Sequence, residues 1–91
     1  MWMVVFFRRE YTIVLARKYK DDGKFDAARE VLVNVLEDDE ASLDWADRAC
    51  LLYWLGDVNR AAGDMSSAEH CYKEALSLVR LHDNPLGRRW L

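Results

Sequence analysis

The chain reads as all-α, with two antiparallel helix hairpins stacked as a short α-solenoid and the start of a further helix at the C-terminus. Three observations predict this. Apolar residues recur at the three-and-four spacing of an amphipathic helix, as in Leu15 and Tyr19 and then Ala28, Val31, Leu32, Val35 and Leu36. No strand-like alternation competes over a comparable length. A shift of forty positions lays Leu15 on Leu55, Gly23 on Gly63, Ala28 on Ala68 and Leu36 on Leu76. The remaining aligned pairs keep their size class: Ala16 with Gly56, Lys20 with Arg60, Phe25 with Met65, Val31 with Cys71, Leu32 with Tyr72 and Val35 with Ala75.

Each element follows from local chemistry. The first helix is expected over roughly 3–21 and ends at Asp21-Asp22-Gly23, because glycine adopts the left-handed conformation that closes a helix. A second helix covers roughly 25–37. Glu37-Asp38-Asp39-Glu40 forms a solvated link into a third helix at roughly 43–62, with Ser42 the candidate cap through its hydroxyl. Ala62-Gly63-Asp64 ends that helix and a fourth runs over roughly 65–82. Small residues at Ala16, Ala28, Gly56 and Ala68 let paired helices approach to about 8–9 Å, with larger neighbours interlocking around them. Phe25 and Met65, just after each glycine, are expected to fill the space beneath each turn. Asp83-Asn84-Pro85 looks like a cap with proline at the first helical position, opening a further helix.

Composition bounds the function. Ninety-one residues at net charge −3, with 52% hydrophobic and 32% charged content, describe one small soluble domain. It divides into an apolar extension 1–7, a first repeat at about 8–40, a second at about 48–82 and a tail 83–91. The apolar run Met1 to Phe7 is far short of the ~20 residues that span a bilayer and lacks the flanks of a secretory signal, so the expected compartment is the cytoplasm. Cys50 and Cys71 are too few for a disulfide framework and are expected to serve as small core residues.

Catalytic and metal chemistry find no foothold. His70 and Cys71 are sequence neighbours and point about 100° apart on a helix, a poor geometry for one zinc ion. The acidic run at 37–40 lacks a glycine-shaped loop for a hard cation. No Gly-rich phosphate loop, serine nucleophile motif or paired-carboxylate signature occurs, so neither an enzyme nor a cofactor is expected.

Charge is uneven: residues 1–24 carry +3 and residues 25–83 carry −8. Such a gradient suits a basic partner on the second hairpin, or head-to-tail association. The alternative is a helical nucleic-acid-binding regulatory domain using Arg8, Arg9, Arg17, Lys18 and Lys20. A polyanionic backbone calls for a broader basic face than these residues offer.

The pattern resembles the tetratricopeptide repeat, a helix hairpin with small, tyrosine, glycine, aromatic and alanine positions in fixed order. The first copy looks like Leu15-Ala16, Tyr19, Gly23, Phe25, Ala28, Leu32 and Val35. The second gives Leu55-Gly56, Gly63, Met65, Ala68, Tyr72 and Ala75, with Asn59 in place of the tyrosine. The repeat usually spans 34 residues. Forty separate the copies here, so the likeness is to a longer variety, and Glu40 stands where the family has a proline. It covers about residues 8–82.

That resemblance implies binding of a peptide or helix in a concave groove lined by the first helix of each hairpin, and no catalysis. Carrying the family's groove positions across gives Glu10, Ile13, Val14, Arg17 and Lys20 from the first hairpin and Cys50, Tyr53, Trp54, Asp57 and Arg60 from the second. Arg17, Lys20 and Arg60 either bind a carboxylate or are ordinary solvated side chains. The basic, asparagine-rich clamp of chaperone-binding members is missing, with Asp57 where an amide would be wanted.

Two further surfaces need cover. Leu51 to Leu55 is apolar over more than half of a helix circumference, so Tyr53 and Trp54 face either a ligand or the neighbouring hairpin. Trp2, Met3, Phe6 and Phe7 would expose several hundred Å² in water, which points to self-association through that segment. Repeat arrays favour three or more units with a capping helix, so the expected partners are a protein or peptide, a second copy or a longer array, and no membrane.

Overall fold

The computed structural model describes residues 8–38 and 43–82. Within them the chain is all-helical, with α1 (Arg8–Asp21), α2 (Phe25–Leu36), α3 (Trp45–Ala61) and α4 (Met65–His82). Helix α1 packs on α2, α2 on α3 and α3 on α4, while α3 also touches α1. Two hairpins therefore stack, with α3 as the helix that joins them.

The two hairpin turns are copies of one another at the level of the backbone. Gly23 has φ +78° and Gly63 φ +88°, a region that costs any residue with a Cβ. Around the first, Gly23 N–H donates to the Lys20 carbonyl at 3.0 Å and Lys24 N–H to the Tyr19 carbonyl at 2.8 Å. Forty positions on, Gly63 N–H donates to Arg60 at 3.0 Å and Asp64 N–H to Asn59 at 2.8 Å. Each turn thus satisfies the last carbonyls of its leading helix before the chain reverses.

Small residues sit where the helices meet. Ala16 and Ala28 are fully buried and Ala68 nearly so. Gly56 lies under the Tyr72 ring so closely that an added Cβ would stand 2.6 Å from Cε1. The main core runs through both hairpins: Ala16, Ala28, Leu32 and Val35 from the first share one cluster with Leu51, Leu55, Val58 and Cys71 from the second. Ile13, Tyr19, Phe25 and Trp54 pack against its edge.

Polar clips fix the junction that has no proline. Arg48 Nη1 donates to the Leu36 carbonyl at 3.1 Å, capping the end of α2 from α3. Arg29 Nη1 donates to Asn59 Oδ1 at 3.1 Å, and Asn59 Nδ2 reaches Cys71 Sγ at 3.7 Å. A buried amide must be hydrogen-bonded on both ends. Asn59 meets that need by tying α2, α3 and α4 together.

Three expectations are corrected. The third helix begins at Trp45 rather than 43, and its cap is Asp44, whose Oδ1 accepts from Asp47 N–H at 2.8 Å. Asp44 has the extended backbone (φ −81°, ψ 178°) typical of a cap and makes the capping bond, so it displaces Ser42, which lies outside the described residues. Met65 does not fill the space beneath its turn and is 61% exposed. Phe25, its counterpart, does pack against the core edge. Cys50 is half-buried rather than a core residue, and Cys71 alone is buried. The segment holding Trp2, Met3, Phe6 and Phe7 and the helix expected from Asp83 lie outside the described residues.

Candidate functional site

Helix α3 has two apolar stripes, and only one faces the first hairpin. Leu51, Leu55 and Val58 form the inner stripe and are buried in the common core. On the other side Trp45, Ala49, Cys50, Tyr53 and Asp57 line a groove of about 720 Å³, closed across by Tyr72, Ala75, Leu76 and Val79 of α4. Spacings of three and four place each set on one side of its helix. Within this groove Tyr53 is 54%, Leu76 47% and Val79 38% exposed.

The groove is apolar along its length and polar at one end. Tyr72 Oη donates to Asp57 Oδ1 at 2.5 Å, and Arg60 Nη2 stands 3.6 Å from the same oxygen. Burial, reinforced by the hydrogen bond to Asp57 and its negative charge, pushes the Tyr72 hydroxyl up to about 12. The phenol is therefore a fixed donor at neutral pH. Gly56 beneath the ring and Tyr53 beside it, 5.4 Å between centroids at a 50° tilt, hold Tyr72 across the groove floor. At the opposite end Trp45 stacks on His82 with centroids 5.4 Å apart and planes at 13°.

The matching seat in the first hairpin is already filled. Shifting Tyr53, Tyr72, Ala75 and Leu76 back by forty gives Ile13, Leu32, Val35 and Leu36. Leu32 is 0% and Val35 5% exposed, with Ile13 and Leu36 packed beside them, all in the cluster that α3 completes. The second hairpin repeats this seat, and among the described residues nothing lies on it.

Eight of the ten predicted groove residues separate into three places. Cys50, Tyr53, Asp57 and Arg60 line the α3/α4 groove. Ile13 and Trp54 pack against the core. Val14 and Arg17 border a separate hollow of about 350 Å³ with Lys18, Asp21 and Asp22 of α1 and its turn. Glu10 is exposed and Lys20 half-buried, and neither borders the α3/α4 groove. Trp45, Tyr72, Leu76 and Val79 were not expected at a site. The forty-position register contained the signal for Tyr72 and Leu76, which align with residues that α3 covers.

His70 points outward toward Glu74, 3.8 Å away, whereas the Cys71 thiol is buried and pushed up chiefly by that burial. Among the described residues no three His, Cys, Asp or Glu side chains gather as a metal site. No helix among them is long and apolar enough to cross a membrane. No family model, curated protein or solved structure matches the chain.

Proposed function

We propose that the protein is a non-catalytic interaction module of tetratricopeptide type, which takes an amphipathic helix of a protein partner into the groove between α3 and α4. The observation that carries this reading is the contrast between equivalent seats. Ile13, Leu32, Val35 and Leu36 are covered by a helix, while among their counterparts Tyr53 and Leu76 stand open and Tyr72 is half-buried, only Ala75 being buried between α3 and α4, and no described residue lies over them. Covering Tyr53, Leu76 and Val79, each about half exposed, contributes roughly 1 kcal/mol apiece. The Asp57–Tyr72–Arg60 group at one end supplies polar contacts that set the direction of the bound helix. The resemblance of the two copies to tetratricopeptide hairpins, with Ala16, Gly23 and Ala28 matched by Gly56, Gly63 and Ala68, supports a protein ligand over other classes.

Selection from a displayed library of random helical peptides tests it. Enriched peptides are expected to share apolar residues at i, i+3, i+4 and i+7 and to lose at least about tenfold in affinity for Leu76→Arg. Enrichment of no such pattern, or binding indifferent to Leu76→Arg, contradicts the reading.

A further inference from the structure

We infer that the α3/α4 groove is filled by α1 of a second copy, so that the chain joins head to tail. This rests on reading the groove as a protein-docking seat and names its occupant. In the first hairpin the occupant is α3, which presents Leu51, Trp54, Leu55 and Val58, at i, i+3, i+4 and i+7, to the common core. Forty positions earlier the same four places on α1 are Tyr11, Val14, Leu15 and Lys18. Tyr11 is 68% and Val14 65% exposed, and Leu15 is half-buried. Among the described residues the chain therefore carries both an uncovered seat at one end and, at the other, an uncovered stripe in the register of the helix that fills such a seat.

Charge favours the same pairing. The stripe lies on the part of the chain carrying +3, with Arg17 and Lys18 exposed beside it. The groove belongs to the part carrying −8, with Asp57 and the Arg60 paired to it at its polar end. Repeating the α1-to-α3 relation brings the Lys18 ammonium toward that end, where α3 carries the apolar Val58 instead. Opposite potentials on the two faces orient the encounter and oppose seat-to-seat pairing. Because the two faces differ, the contact is heterologous: it does not close as a dimer and propagates until a ring or an array results.

Sedimentation of the full chain and two single-face variants tests this. Val14→Glu spoils the stripe and leaves the seat, whereas Leu76→Arg spoils the seat and leaves the stripe. Both positions are exposed, so helix content by circular dichroism is expected to stay at the wild-type value. One helix in a groove of this size gives a Kd on the order of 10–100 µM, so wild-type mass is expected to climb past a dimer by about 200 µM. Each variant alone is expected to stay a monomer. Their equimolar mixture is expected to form a dimer and stop, since only one good seat and one good stripe remain. Three results overturn the inference: a monomeric wild type, a mixture that stays monomeric, or Val14→Glu still assembling alone. Should the wild type be monomeric, protection of Cys50 from maleimide assigns the seat to another segment of the same chain. Ready modification leaves it to a foreign helix. Retention of selected peptides by a monomeric wild type removes the second copy as occupant and keeps the docking reading, whereas loss of both removes both.

Discussion

The first hairpin and the second are built on one plan and differ in what lies over them. Both turn at a left-handed glycine with the same pair of backbone hydrogen bonds, and both seat a small residue where their helices cross. Over the first lies α3, and Leu32 and Val35 vanish from solvent. Over the second, among the described residues, nothing lies, and Tyr53, Leu76 and Val79 remain half open. The contrast teaches that the same side-chain pattern acts as core or as surface according to its neighbour. A helix hairpin has two faces to cover, and stacking covers one of them for each unit added.

The sharpest way to break this comparison is to cut equivalent positions on the two seats. Leu32→Ala opens a cavity under α3 and is expected to cost about 2–5 kcal/mol in chemical denaturation. Leu76→Ala, on the open seat, is expected to cost less than about 1 kcal/mol under monomeric conditions. Equal losses would mean that the second seat is as well covered as the first.

Substitutions at the turns probe what the hairpins share. Gly23→Ala and Gly63→Ala each force a Cβ into positive φ, and each is expected to cost about 1–2 kcal/mol. The space around both is open, so strain in the backbone is the whole effect. A large inequality between the two would show that the turns are not equivalent.

Tyr72 distinguishes the second hairpin by titration. Its hydroxyl is raised to about 12 from an ordinary value of 10, so the folded chain holds the proton more tightly than the unfolded chain. That contribution is fully present below pH 10 and is lost as pH rises from 10 through 12. Tyr72→Phe is expected to lower stability at pH 7 by about 1 kcal/mol and to flatten the decline across that alkaline window. An unchanged alkaline profile in the variant would remove Tyr72 as its cause.

The smallest expected effect concerns helix starts. Asp64 caps α4, its Oδ1 accepting from Ser67 N–H at 3.1 Å, while Lys24 at the matching place makes no side-chain cap to α2. The backbone and hydroxyl bonds from Ser67 hold the Asp64 carboxyl below its ordinary 3.8, so the cap persists above that pH and fails as acid protonates it. Lys24→Asp transplants the cap and is expected to stabilise the first hairpin by about 0.5–1 kcal/mol. Protection of the first α2 amides by hydrogen exchange reports it locally.

The plan of the fold was legible because it rests on short-range rules. Glycine marks the turns, three-and-four spacing marks the helices, and matched size forty positions apart marks the repeat. Ser42 and Asp44 both carry a capping oxygen, and only the backbone angles at Asp44 decide between them. The site was half legible. Cys50, Tyr53, Asp57 and Arg60 follow from their spacing on α3, but Trp54 turns to the core because five successive large residues cannot all face one side. Tyr72 and Leu76 were hidden by their likeness to Leu32 and Leu36: size alone does not say whether a further helix arrives. Asn59, an apparent departure, proves to be the residue that ties three helices together.

Amide NMR on a mixture of labelled Val14→Glu chain and unlabelled Leu76→Arg chain tests the central claim most directly. An unfilled seat on the second hairpin predicts saturable shifts on the labelled copy at Cys50, Tyr53, Tyr72, Leu76 and Val79, with the Leu32 and Val35 amides still. Shifts on the first hairpin instead, or no shifts with about 500 µM partner, would contradict it.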